Sequence, residues 1–208
     1  MMIYSIIAFF LIAITLFLIN SSLFDKFRGK NQRTFEFFIS LISTFIGFFI
    51  AVSLNTVLGE VNQKKNLVKI LSATNLAIEN SEMKTKGMYL IPAQKGTDIS
   101  EIITYAPVEL PKLYSNLESN ALISDYFSSN AFQAYILCSD NMDTFVKNAN
   151  AANQTSERKV LIMEKYLKYL GFAKQVNNLE IQRLNDQMSE KEENAALEKL
   201  TQQIVNNK

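Results

Sequence analysis

Histidine is absent from the 208 residues, and with it go the commonest general base and the commonest metal ligand. Ser/His/Asp and Cys/His catalytic arrangements are therefore excluded. The one cysteine, Cys138, closes no internal disulfide, so the fold does not depend on oxidation. Glycine is scarce, and Gly29, Gly47, Gly59, Gly87, Gly96 and Gly171 form neither a phosphate-cradling loop nor a dinucleotide fingerprint. Gly29-Lys30 lacks the glycine five positions earlier that a phosphate loop requires. An excess of one charge is missing as well. The formal net charge is +1, and from Glu60 onward 17 Lys/Arg face 18 Asp/Glu without a basic block. Nucleic-acid binding gets no electrostatic support, and none is expected. Period-two alternation is also lacking, so the expected class is all-α.

What the chain does have is apolar length. A hydrophobic fraction of 48% and a mean hydropathy of +0.04 average over a very apolar first 58 residues and a polar remainder. Residues 35–58, FEFFISLISTFIGFFIAVSLNTVL, read as a membrane-spanning helix with Glu36 in its first turn. Residues 1–19, MMIYSIIAFFLIAITLFLI, read as a first span rather than a signal peptide, since no basic segment precedes the run and no small-x-small site follows it. Together they predict a two-helix transmembrane hairpin. The connection carries Lys26, Arg28, Lys30 and Arg33 against Asp25, with Phe24 and Phe27 at the interface, while Lys64, Lys65 and Lys69 follow the second span. The positive-inside rule then makes the connection cytoplasmic and leans toward a two-pass membrane protein with its C-terminal part outside the cytoplasm.

Within the second span Ser43, Gly47, Ala51, Asn55 and Gly59 recur every fourth residue. Such a seam of small and hydrogen-bonding side chains is expected to face another helix. Two partners suit it: the first span, through Ser5, Ala8 and Thr15, or a second copy of the chain, bridged by Asn55. Glu36 is expected at the interface, paired with Arg33 or water.

Beyond Leu58 the pattern Val61, Val68, Leu71 and Ile78 predicts that the helix continues over 59–86 and stops at Gly87. Residues 87–208 are read as a helical extramembrane domain. Pro92, Gly96 and Pro107 mark an irregular stretch with a helical turn after Asp98, and Pro111 opens a short helix with Leu113, Tyr114 and Leu117 on one face. Ser128 or Ser129 caps a helix whose apolar stripe is Ala131, Tyr135, Cys138, Met142, Phe145 and Ala149. Thr155 or Ser156 caps the next, in which Val160, Met163, Leu167, Leu170, Ile181, Leu184 and Met188 keep a heptad register interrupted by Lys174 and Asn177. That interruption either fixes register in a bundle or marks where the helix meets solvent. Ser189 with Glu192 predicts a capping box and a terminal helix carrying Leu197, Leu200 and Ile204.

Two stretches carry a resemblance. GFFIAVSLN, Gly47 to Asn55, running into LVKILSATNLAIEN, Leu67 to Asn80, resembles uncharacterised bacterial inner-membrane proteins in which a G-x3-A-x3-N span continues into a juxtamembrane helix. Leu113 to Val146, LYSNLESNALISDYFSSNAFQAYILCSDNMDTFV, is similar to the same proteins' segment of a tyrosine-bearing helix, a leucine-containing turn and an amphipathic helix. The resemblance covers about half the chain and implies a membrane protein with a helical domain and no assigned catalytic residues.

Of the side chains able to do chemistry, Glu190, Glu192 and Glu193 form the densest carboxylate group, expected to be a solvated helix N-terminus. Cys138, on an apolar stripe without a cationic neighbour, is expected to be a small core residue. No catalytic residue, cofactor or metal is expected. The functional expectation is a non-enzymatic membrane-anchored interaction or sensor module that contacts the lipid bilayer, self-associates and has a protein partner for its helical domain. The alternative is a membrane-perturbing or pore-forming effector of a bacterial defence system, triggered through that domain.

Overall fold

The computed structural model describes residues 2–20, 29–117 and 120–206, and among them every regular element is helical, with no strand. The chain divides into two compact units, Met1–Gln63 and Lys64–Lys208. Lys26, Arg28, Asp25, Phe24 and Phe27, on which the orientation expectation leans, lie outside the described residues.

The first unit contains α1, Met2–Asn20, and the N-terminal half of α2, Gln32–Thr85. Among the described residues the one helix long and apolar enough to cross a membrane is the continuous run Gln32–Gln94. Several of its hydroxyls are satisfied inside the helix. Ser43 Oγ donates to the Ile39 carbonyl at 2.8 Å, Thr44 Oγ1 to Ser40 at 2.9 Å and Thr56 Oγ1 to Val52 at 3.0 Å. On α1, Thr15 donates likewise to Leu11 at 2.7 Å. Phe37, Phe38, Phe45, Phe48, Leu54 and Leu58 are exposed, an outward apolar surface that water would disfavour.

In the second unit α2 buries Leu67, Leu71, Thr74 and Ile78. This face is rotated from the expected stripe: Val68 is half-buried and Val61 exposed. Gly87 does not end the helix either. The backbone widens into a π-helical turn, Lys86–Leu90, and continues as α3, Ile91–Gln94, before Gly96 at φ +84° turns the chain. Pro92 accounts for the widening, because it offers no N–H to the preceding turn and its ring needs room there.

Short helices follow: α4, Ile99–Tyr105, α5, Lys112–Ser115, and α6, Ala121–Tyr126. Asp98 caps α4 by accepting from Ser100 N–H at 2.8 Å, and Asn120 caps α6 from Leu122 N–H at 3.0 Å. Leu113 points outward, whereas Tyr114 and Leu117 are buried, because a single helical turn can bury only part of its circumference. The long elements are α7, Ser129–Asn150, α8, Ser156–Leu184, and α9, Glu190–Val205. They pack on one another around Ala131, Tyr135, Cys138, Met142, Met163, Leu170, Ala173, Val176, Leu197 and Ile204. Ser128 caps α7, Thr155 caps α8, and Ser189 with Glu192 forms the full capping box of α9. Helix α8 stops at Leu184, short of Met188, where Asp186 takes a left-handed φ of 56°, a conformation that Asp tolerates better than most residues.

Five tyrosines are fully buried, and each hydroxyl donates to a backbone carbonyl distant in sequence. Tyr89 reaches Ala106 at 2.7 Å, Tyr114 reaches Tyr135 at 3.1 Å, Tyr166 reaches Glu109 at 3.0 Å and Tyr169 reaches Ile204 at 2.9 Å. Tyr135 donates back to Tyr114. These rings fill the core while their hydroxyls, buried with them, are each satisfied by a carbonyl.

Candidate functional site

The seam of α2 is the first candidate. Ser43, Gly47, Ala51, Asn55 and Gly59 are all exposed. Apart from Val52, the side chains of the same stretch that lose solvent are Phe35, Ile39, Ile42, Ile46, Phe49, Ser53 and Val57, spaced by three and four. At 100° per residue they share one face, and Ala51 lies on the opposite one. These half-buried residues thus occupy one side of the helix, and the small residues share the open side with exposed apolar ones such as Phe37, Phe48 and Leu54. A side-chain Cβ added at Gly47 or Gly59 would meet nothing within 4 Å. A strict four-residue repeat advances by about 40° per step on a straight helix, so the seam slants around α2 and suits a crossed contact. The expected seam partners Ser5 and Ala8 have side chains outside the described residues, and Thr15 is engaged with its own helix.

Asn55 is the most demanding member. Its amide is exposed on an apolar helix, and among the described residues nothing hydrogen-bonds it. In hydrocarbon such an amide would find no partner. Sequence analysis did not single out Ser53, whose Oγ is buried without a hydrogen bond among the described residues. Glu36 is exposed and accepts from Gln32 Nε2 at 2.9 Å, one helical turn away.

The interruption at Lys174 and Asn177 does not mark a departure into solvent. Asn177 is fully buried and donates to Asn75 Oδ1 at 2.9 Å, Asn75 donates to Asn178 Oδ1 at 2.8 Å, and Lys174 Nζ pairs with Glu79. These side chains form a polar layer between α8 and the second-unit part of α2. Ser81 and Tyr166, with oxygens 3.1 Å apart, continue it by one turn. The Glu79 carboxylate holds the Lys174 ammonium above its usual range.

Cys138 is buried, and burial pushes its thiol up to about 12, which removes the thiolate that nucleophilic chemistry requires. The acidic trio divides. Glu190 and Glu192 are exposed, as expected, and the Ser189 hydrogen bonds hold the Glu192 carboxyl below its usual range. Glu193 contradicts the expectation, because it is fully buried beside Glu180. Helix periodicity is the reason: four residues from the cap, Glu193 shares the inward face with Leu197, Leu200 and Ile204. Among the described residues no cluster of three or more metal-binding side chains occurs.

Comparison with protein families, curated proteins and solved structures finds no match to this chain. The functional reading therefore rests on the geometry.

Proposed function

We propose that this chain is a membrane-anchored, non-enzymatic interaction module of a bacterial inner membrane that self-associates through the α2 seam. The observation that carries the reading is the exposed, unbonded Asn55 amide in line with the open Gly47 on an otherwise apolar helix. In this reading α1 and residues 35–58 form a two-pass hairpin, with α1 against the half-buried apolar face and the seam left for a second copy. The helices of the second unit form a bundle outside the cytoplasm that presents a surface to a protein partner. The resemblance to G-x3-A-x3-N membrane proteins agrees with this arrangement.

Close packing between helices and an interhelical amide hydrogen bond would supply the association that lipid cannot drive hydrophobically. Gly47→Leu separates the backbones, and Asn55→Leu removes a hydrogen bond worth about 0.5 to 2 kcal/mol, so the glycine variant is expected to weaken assembly more. Wild type and both variants are to be compared for oligomer size in detergent and for dye entry into expressing cells. Assembly with intact membranes, lost in Gly47→Leu, supports the anchored module. Dye entry with wild type that Gly47→Leu abolishes replaces it with the pore-forming effector. An oligomer unchanged in Gly47→Leu overturns the seam's role, since the added side chain meets only open space in the single chain.

A further inference from the structure

The proposed function leaves unused the two fully buried carboxylates among the described residues, at the junction of α8 and α9. Glu180, near the end of α8, and Glu193, in the first turns of α9, both have no solvent exposure. Arg183 donates to Glu180 Oε2 from Nε at 2.9 Å and from Nη2 at 2.7 Å, and also bonds the Tyr126 carbonyl. The backbone N–H of Ser128 donates to Glu180 Oε1 at 2.6 Å. Both Glu180 oxygens are therefore supplied. Glu193 is not: its Oε2 lies 3.2 Å from Arg183 Nε, yet neither of its oxygens accepts a hydrogen bond.

The groups facing the pair are Arg183 from α8 and the uncharged Ser128 from the start of α7, while Glu190 and Glu192 on α9 itself face solvent. One guanidinium balances one carboxylate. A second buried carboxylate, left with only a shared guanidinium and the Ser128 hydroxyl beside it, is more stable as the neutral acid.

We propose that Glu180 and Glu193 form a one-proton binding site that latches α9 onto α7 and α8. With the proton bound, a neutral carboxyl and a carboxylate share Arg183, and α9 stays docked through Leu197, Leu200 and Ile204. When the proton leaves, two anions face one cation out of reach of water. Lifting the first turns of α9 then returns Glu193 to solvent and uncovers those apolar side chains.

Burial first, and then the Glu180 charge, raise the Glu193 carboxyl from 4.5 to about 7, with Arg183 opposing. A carboxyl whose value is raised on docking binds its proton more tightly in the docked state. Docking is therefore strongest in acid, weakens by up to about tenfold per pH unit as pH rises from the free value toward the docked one, and is level above it. The device responds between about pH 4.5 and about pH 7.

The test is hydrogen exchange of the full chain in detergent micelles at pH 5.5 and 8.0, expressed as protection relative to the intrinsic exchange rate at each pH. Protection over residues 190–205 is expected to fall at least about tenfold at the higher pH, while the middle of α8, around Tyr169, is unchanged. Glu193→Gln should stay protected at both values. Glu180→Gln leaves one carboxylate opposite Arg183 and should remove the dependence by charge balance, which provides a second reading if the first variant does not fold. Equal protection of wild-type α9 at the two pH values overturns the proposal without any variant. So does the same fall in Glu193→Gln, or a parallel fall throughout α8.

Discussion

At the scale of single residues the buried polar groups decide most. Cys138 sits at full burial with its thiol pushed up to about 12, so in the folded chain a thiol reagent at pH 8 should leave it unmodified, and it should react at once in denaturant. Mass measurement after brief labelling checks this, and rapid labelling of the native chain would mean that the core opens at α7. Leu71 has no exposure at all, and Leu71→Ala is expected to cost about 2 to 5 kcal/mol, read as a large drop in the thermal midpoint. Val61→Ala, by contrast, alters an exposed side chain and should leave that midpoint unchanged. The role of Cys138 was legible from its place on an apolar stripe. The burial of Glu193 was legible only in its spacing from Leu197, Leu200 and Ile204, which places it on their face, against the preference of a carboxylate near a helix start for solvent.

At the scale of elements the helix starts were the most legible features. Ser128, Thr155 and Ser189 each cap the helix that follows them, because a cap is a contact between a side chain and a backbone N–H two or three residues on. Ser189→Ala removes the side-chain half of the α9 capping box, leaving the backbone N–H bond to Glu192, and should destabilise that helix by about 1 kcal/mol, visible as faster exchange confined to residues 190–193. Helix stops were less legible. Gly87 resembles a terminator, yet the chain there is held by Tyr89 in the core and widens by one residue to accommodate Pro92. The break in the heptad at Lys174 and Asn177 looked equally compatible with solvent, and it is a polar contact to Asn75 and Glu79, about a hundred residues away in sequence. Because Lys174 and Glu79 are partly exposed, their pair is expected to weaken with added salt. The Asn75–Asn177 bond, fully buried on one side, should not.

At the scale of the whole molecule the all-helical class followed from the two kinds of periodicity and from the missing strand pattern, and the structure agrees over the described residues. The orientation of the chain across a membrane rests on a few charges, several of them outside those residues. With Cys138 replaced by Ala, single cysteines at Gln94 and at Lys30 are expected to react oppositely with an impermeant thiol reagent on intact cells, Gln94 labelled and Lys30 protected. The reverse pattern would place the second unit in the cytoplasm and invert the arrangement proposed above.

The tyrosine hydroxyls in the core also determine how this protein can be followed in solution. The chain has no tryptophan, so its near-ultraviolet emission comes from phenols, and five of the eight tyrosines are enclosed with their hydroxyls donated to carbonyls. Tyr105, at 90% exposure, is by contrast wide open. A nitrating reagent should therefore mark Tyr105 in the native chain and reach the five enclosed rings only as the second unit opens, which turns the number of nitro groups per molecule into a direct gauge of unfolding.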